Sequence, residues 1–130
     1  MKIAIATKNY LEVSGHAGQC RHWLLYDLSQ HQSKQLLPAP AFVELDKTEI
    51  LHSFADDRPH PLDGVDLMVC ASAGDGFIRH MKKRGCEVLR TGETDPALAI
   101  TRILAGEALS DPRFDITTSL CKLRDLFSRH

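Results

Sequence analysis

No stretch of about 18 consecutive apolar residues occurs in the sequence, so nothing in it reads as a membrane span. Basic residues are not in excess: 16 Lys and Arg stand against 17 Asp and Glu, a formal charge of −1 with histidine neutral. That balance argues against binding nucleic acid through phosphates and against docking on an anionic membrane. The four cysteines, Cys20, Cys70, Cys86 and Cys121, form no CxxC pair and share no spacing. Isolated thiols of this kind read as free cysteines of a reducing compartment. The apolar opening is broken by Thr7, Lys8 and Asn9, too early for a signal-peptide core, which points to the cytoplasm. There is no Walker lysine pair, no serine elbow and no HExxH.

What is present is one ordinary globular domain. A length of 130 residues suits a single core, and 43% apolar with 25% charged residues is the usual balance. Residues 2–7 alternate, Ile3 and Ile5 on one side and Ala4 and Ala6 on the other, as a strand covered on both faces should. Lys8 to Gly18 reads as a loop and His22–Leu28 as a second strand. Ala41–Leu45 reads as a third, entered irregularly through Pro38 and Pro40. Asp46 or Thr48 could cap a short helix through Ile50, Leu51 and Phe54.

Val65–Ala71 is a nearly continuous apolar run, the pattern of a buried parallel strand. Ser72-Ala73-Gly74-Asp75-Gly76 turns into a helix with Phe77, Ile78 and Met81 on one face, ended by Gly85. Cys86–Arg90 is a fifth strand. Asp95-Pro96 opens a second helix with Ala97, Ile100, Ile103 and Leu104 on one face, and Gly106 closes it. Residues 1–110 then form the domain. A tail, 111–130, with Leu120, Leu123, Leu126 and Phe127 at helical spacing, should pack on it.

The order βββαβαβα predicts an α/β fold: strands one to three as an antiparallel meander, strands four and five parallel to strand one. The sheet order is then 3-2-1-4-5, with helices on its faces. Ligands bind beyond the strand ends where such an order reverses, here between the Lys8–Gly18 and Ser72–Gly76 loops. Within the first loop, Gly15 and Gly18 flank His16-Ala17 and leave the imidazole open to a large ligand. Neutral imidazole ligates iron and zinc, and Cys20 offers a thiolate nearby; the plain alternatives are a solvated His16 and a buried, apolar Cys20. In the second loop, Ser72, Gly74 and Gly76 expose amides at a helix start, which favours an anion. Cys70 reads as core. His31, His52, His60 and His130 read as solvated, His22 as a strand residue and His80 as a helix boundary residue. Strand one holds no acid, so the carboxylate cluster of a metal-dependent nuclease is absent.

MKIAIAT, a loop ending GHAGQC, and HWLLYDL together resemble the opening of the dinitrogenase iron–molybdenum cofactor biosynthesis family. GVDLMVCASAGDGFIRHMKKRGCEVL is similar to that family's second half, and TDPALAITRILAGEAL to its closing helix, so that the resemblance spans roughly residues 1–110. It implies a ribonuclease H-like, three-layer fold. It also implies a non-catalytic protein that carries an iron–sulfur or iron–molybdenum cofactor precursor, with nitrogenase or cofactor-assembly proteins as partners. The family's histidine falls on His16, making it the implied cluster ligand, and its glycine on Gly18. The family's Phe is Ala17 here, its Ile-Gly turn is Ala73-Gly74, and Asp75 brings a carboxylate that opposes an anionic cluster. The tail has no counterpart. Two other readings stay open: a cluster-free interaction module, and a small-molecule or phosphate-binding enzyme working through Asp75 or Ser72.

Overall fold

The computed structural model describes residues 1–13, 15–29, 37–52, 54 and 58–105. The predicted tail helix over 111–130, its Cys121, the Gly106 cap, Ser14, His31 and His130 lie outside them.

Five strands form one sheet in the order β3-β2-β1-β4-β5: β1 Lys2–Thr7, β2 His22–Asp27, β3 Ala41–Glu44, β4 Leu67–Cys70 and β5 Glu87–Arg90. β1 and β2 pair antiparallel, as do β2 and β3, while β4 runs parallel to β1 and β5 parallel to β4. This is the sheet that the order of elements predicts. Helix α1, Asp75–Lys83, follows β4, and α2, Pro96–Leu104, follows β5.

Alternation in the strands divides the core in two. Ala4, Ala6, Trp23, Met68, Cys70 and Val88 face α1 and pack with its Met81. Ile3, Ile5, Leu24, Leu67, Val69 and Leu89 face α2 and pack with Ile100 and Ile103. Small residues on β1 have a purpose here: Ala6 is the cross-strand partner of Trp23, and the missing bulk leaves room for the indole. The Trp23 indole N–H donates to the Cys20 carbonyl at 3.1 Å, so its polar edge is satisfied at no exposure. Burying each large aliphatic side chain contributes about 1.5–3 kcal/mol.

The expected short helix through Ile50, Leu51 and Phe54 does not form among the described residues; 47–49 and 51–52 are turns, and Ile50 and Phe54 are irregular. The Asp46 carboxylate accepts from the backbone N–H and the hydroxyl of Thr48, at 2.7 and 2.6 Å. That local ring competes with helical hydrogen bonding and wins. The second helix starts where Asp95-Pro96 predicts, with the Asp95 carboxylate accepting from the N–H groups of Ala97 and Leu98. Gly85 ends the α1 region at φ +84, a conformation that favours glycine.

Candidate functional site

β1 is flanked by β2 on one side and β4 on the other, so the chain leaves the top of the sheet in opposite directions from β1 and β4. The loops after those two strands meet. Ala17 N–H donates to the Ser72 carbonyl at 2.9 Å and Ser72 N–H donates to the Gly15 carbonyl at 3.2 Å, making His16 and Ser72 a parallel bridge. The β1–β4 pairing thus resumes in the loops, and His16 is set beside the turn that opens α1. Gly15 sits at φ +82, the one glycine of this loop whose backbone requires glycine.

His16 begins a single 3-10 turn, Ala17–Gln19, that spacing did not foretell. Its Nδ1 accepts from the Gly18 N–H at 3.2 Å. In the neutral ring the proton therefore lies on Nε2, and the exposed His16 presents a donor. Ligation of a metal through Nε2 requires the ring to give up the Gly18 bond, at a cost of about 0.5–1.5 kcal/mol. Gly18 is glycine for space rather than backbone freedom. A Cβ on it would stand 3.2 Å from the Cβ of His52 and 3.4 Å from two atoms of the His16 ring. His52 N–H also donates to the Gly18 carbonyl at 2.8 Å. His52, which sequence reading set aside as solvated, is brought to the site by the fold; no local spacing signals it.

Ser72, Gly74 and Gly76 are exposed along the opening of α1. Gly74 is the N-cap and provides no side-chain capping bond. The first amides of the helix keep their hydrogen-bonding capacity for solvent or a ligand. Arg79 reaches back over this turn, its guanidinium 3.9 Å from where a Cβ on Gly76 would stand. This cation is absent from the sequence-based site.

The thiols are placed differently. Cys20 is buried with its Sγ 3.5 Å from the Thr7 carbonyl and 3.4 Å from that of His22, the position of a donor turned into the sheet. Burial pushes its pKa up. Cys70 is fully buried in the α1-side core, and burial pushes its thiol up to about 12. Neither offers a ready thiolate. His60 is a further departure: it is buried, its Nδ1 accepting from Leu62 N–H at 2.9 Å and its Nε2 lying 2.6 Å from the Glu49 carbonyl. Among the described residues no three His, Cys, Asp or Glu side chains group as a metal site.

The model of one protein family, described as dinitrogenase iron-molybdenum cofactor, matches residues 1–106. The chain belongs to the dinitrogenase iron-molybdenum cofactor family. That match spans every described element and includes both loops of the site. Solved structures with the same fold include the protein PH0822, 21% identical over 86% of this chain and 96% of its own, with a TM-score of 0.63. A candidate dinitrogenase of Methanocaldococcus jannaschii is 17% identical over 85% of this chain and 92% of its own, at a TM-score of 0.60. A candidate NifB protein from Thermotoga is 17% identical over 84% and 91%, at 0.55. At such identities the likeness is one of fold. No curated protein matches the chain. No helix among the described residues is long and apolar enough to cross a membrane.

Proposed function

We propose that this protein is a non-catalytic cytoplasmic carrier in iron–molybdenum cofactor assembly. It holds an iron–sulfur or iron–molybdenum precursor as cargo at the crevice between the β1 and β4 loops, for transfer to nitrogenase or an assembly partner. One observation carries the reading. The His16–Ser72 bridge sets an exposed imidazole beside the uncapped start of α1, within a domain of the cofactor family. Cargo of this class is bulky and anionic. The amides of Gly74 to Phe77 and the guanidinium of Arg79 suit its sulfide or carboxylate charge.

His16 serves in two ways. As found, its Nε2–H donates to a sulfide or carboxylate of the arriving cargo. With the ring turned off Gly18, it ligates iron. The small cost of that turn keeps the hold reversible, and a single imidazole leaves the cluster free to move on where a set of cysteines would retain it.

The test is anaerobic loading with a cofactor precursor, followed by desalting and iron analysis, wild type beside His16→Ala. The expected result is retention by wild type and loss in the variant. Equal retention by both would sink His16 as the anchor, and retention by neither would sink the carrier.

A second reading, a cluster-free interaction module, has its own observation: Leu11 is 72% and Phe42 67% exposed. Partner association that survives replacement of both His16 and Cys20, without cargo, would select it.

A further inference from the structure

We infer that the chain's own C-terminal segment covers the exposed face of β3: its stripe of Leu120, Leu123, Leu126 and Phe127 docks on Phe42 and Tyr10, on the α2 side of the sheet. This contact goes beyond the carrier reading and does not depend on it.

The two faces of β3 are finished differently. Val43 points to the α1 side and packs, partly buried, against the core to which Leu45, Leu51 and Leu62 belong. Phe42 points the other way. Its cross-strand partner, Leu24, is buried in the α2-side core, yet Phe42 itself is 67% exposed. A helix is about 10–12 Å across and strands stand about 4.8 Å apart, so one helix covers two to three strands of the five. The core under α2 takes residues from β1, β2, β4 and β5 and none from β3. Among the described residues the ring set against Phe42 on this side is that of Tyr10, stacked at 4.7 Å between centroids.

The length and pattern of the remaining chain name the occupant. Of the segments outside the described residues, 30–36 has Leu36 as its one large apolar side chain and 55–57 has none, whereas 106–130 carries the stripe at helical spacing. α2 ends at Leu104, which packs against the same core, so this segment starts out on the correct side of the sheet. Residues 106–119 intervene and can span up to about 45 Å. The margin is two to three strand spacings away, about 10–15 Å. Charge agrees as well. Lys122 and Arg124 flank the stripe at helical spacing, and Glu44 shares Phe42's face of β3 with its side chain 61% exposed. Cys121 and Asp125 fall opposite the stripe. A helix shorter than about 12–15 residues is marginal in water by itself, so two apolar turns need such a face to fold on.

The experiment uses the full chain with a nitroxide on Cys121, since Cys20, Cys70 and Cys86 are buried in the fold. Mass spectrometry confirms the single label, and NMR reads the broadening of backbone amides. The amides of Tyr10 and Ala41–Glu44 should broaden more than those of α1, which lies across the sheet. The effect should be lost in the double variant Leu123→Asp, Leu126→Asp and fall at least twofold in Phe42→Ser. Phe42 is exposed, so an unchanged α1 and β4 spectrum will show that this variant folds. Broadening that is absent, centred on α1, or unchanged in the leucine variant overturns the contact and leaves Phe42 to a partner protein. Broadening passed to isotope-labelled, nitroxide-free protein mixed with nitroxide-bearing protein also overturns it, giving the face to a second copy.

Discussion

His16 and Ser72 are bridge partners through backbone alone: the neighbouring Ala17 N–H and the Ser72 N–H make the two bonds, at 2.9 and 3.2 Å, and neither side chain takes part. The bridge extends the parallel β1–β4 pairing past the strand ends, and it fixes where the imidazole stands relative to α1.

Ser72→Pro should therefore harm the site where Ser72→Ala does not. Proline removes the N–H that Gly15 accepts, a loss of about 1 kcal/mol or more, whereas alanine leaves the backbone bonds intact. The melting temperature should fall by several degrees for proline only, about 3–5 °C per kcal/mol in a domain of this size. Cargo retention should fall with it. Equal behaviour of the two variants would mean that the bridge does not position His16.

The buried thiols give a pH signature. Burial pushes the Cys70 and Cys86 pKa values up to about 12 in the fold, while an unfolded chain holds its thiols near 9. The folded state thus keeps protons that the unfolded state has lost. The stability tied to these protons is fully present below about pH 9 and is lost as pH rises from there toward 12. Denaturant midpoints should decline across that window, and less steeply in Cys86→Ala measured against its own neutral value. At neutral pH an alkylating agent should leave Cys20, Cys70 and Cys86 unmodified in native protein and label them after unfolding.

Much of this architecture is legible from local pattern. The Ile3-Ala4-Ile5-Ala6 alternation, the Asp95-Pro96 start and the order of elements suffice for the sheet and its switch point. What escapes is set by contacts distant in sequence. His60 lies in a proline-rich loop that reads as solvated, yet the Phe54 ring packs against it with centroids 4.6 Å apart, and two backbone groups satisfy its nitrogens. The direction of Cys20 follows from the 3-10 turn before it, which no periodicity announces. His52 reaches the site only because its segment folds back on Gly18.

Tyr10 holds a left-handed backbone, φ 69, with its ring stacked on Phe42 at 4.7 Å between centroids and edge-on to His22. Tyr10→Ala loses the ring and keeps the strain. Tyr10→Gly loses the ring and relieves it, so the glycine variant should be more stable than the alanine one by about 1 kcal/mol. Chemical denaturation of the two variants side by side decides this. Equal stability would show that the ring, rather than the surrounding chain, enforces the conformation.

His60→Ala tests how the His52 segment is held. The wild-type imidazole bonds the Leu62 N–H and the Glu49 carbonyl inside the protein, and the backbone N–H of His60 donates to Asp63 at 2.8 Å. Alanine leaves the Leu62 N–H buried without a partner, at about 1–3 kcal/mol, strips the part-buried Glu49 carbonyl of its bond, and removes the ring that Phe54 packs on. A loss of about 2–4 kcal/mol in global stability is expected. The Glu49 carbonyl lies three residues before His52, so loosening it should free the His52 root. Amide exchange at His52 should then accelerate. His60→Asn, which can present a donor and an acceptor, should recover part of both effects. Loss of stability with unchanged amide exchange at His52 would show instead that His52 is anchored by its Gly18 bond alone.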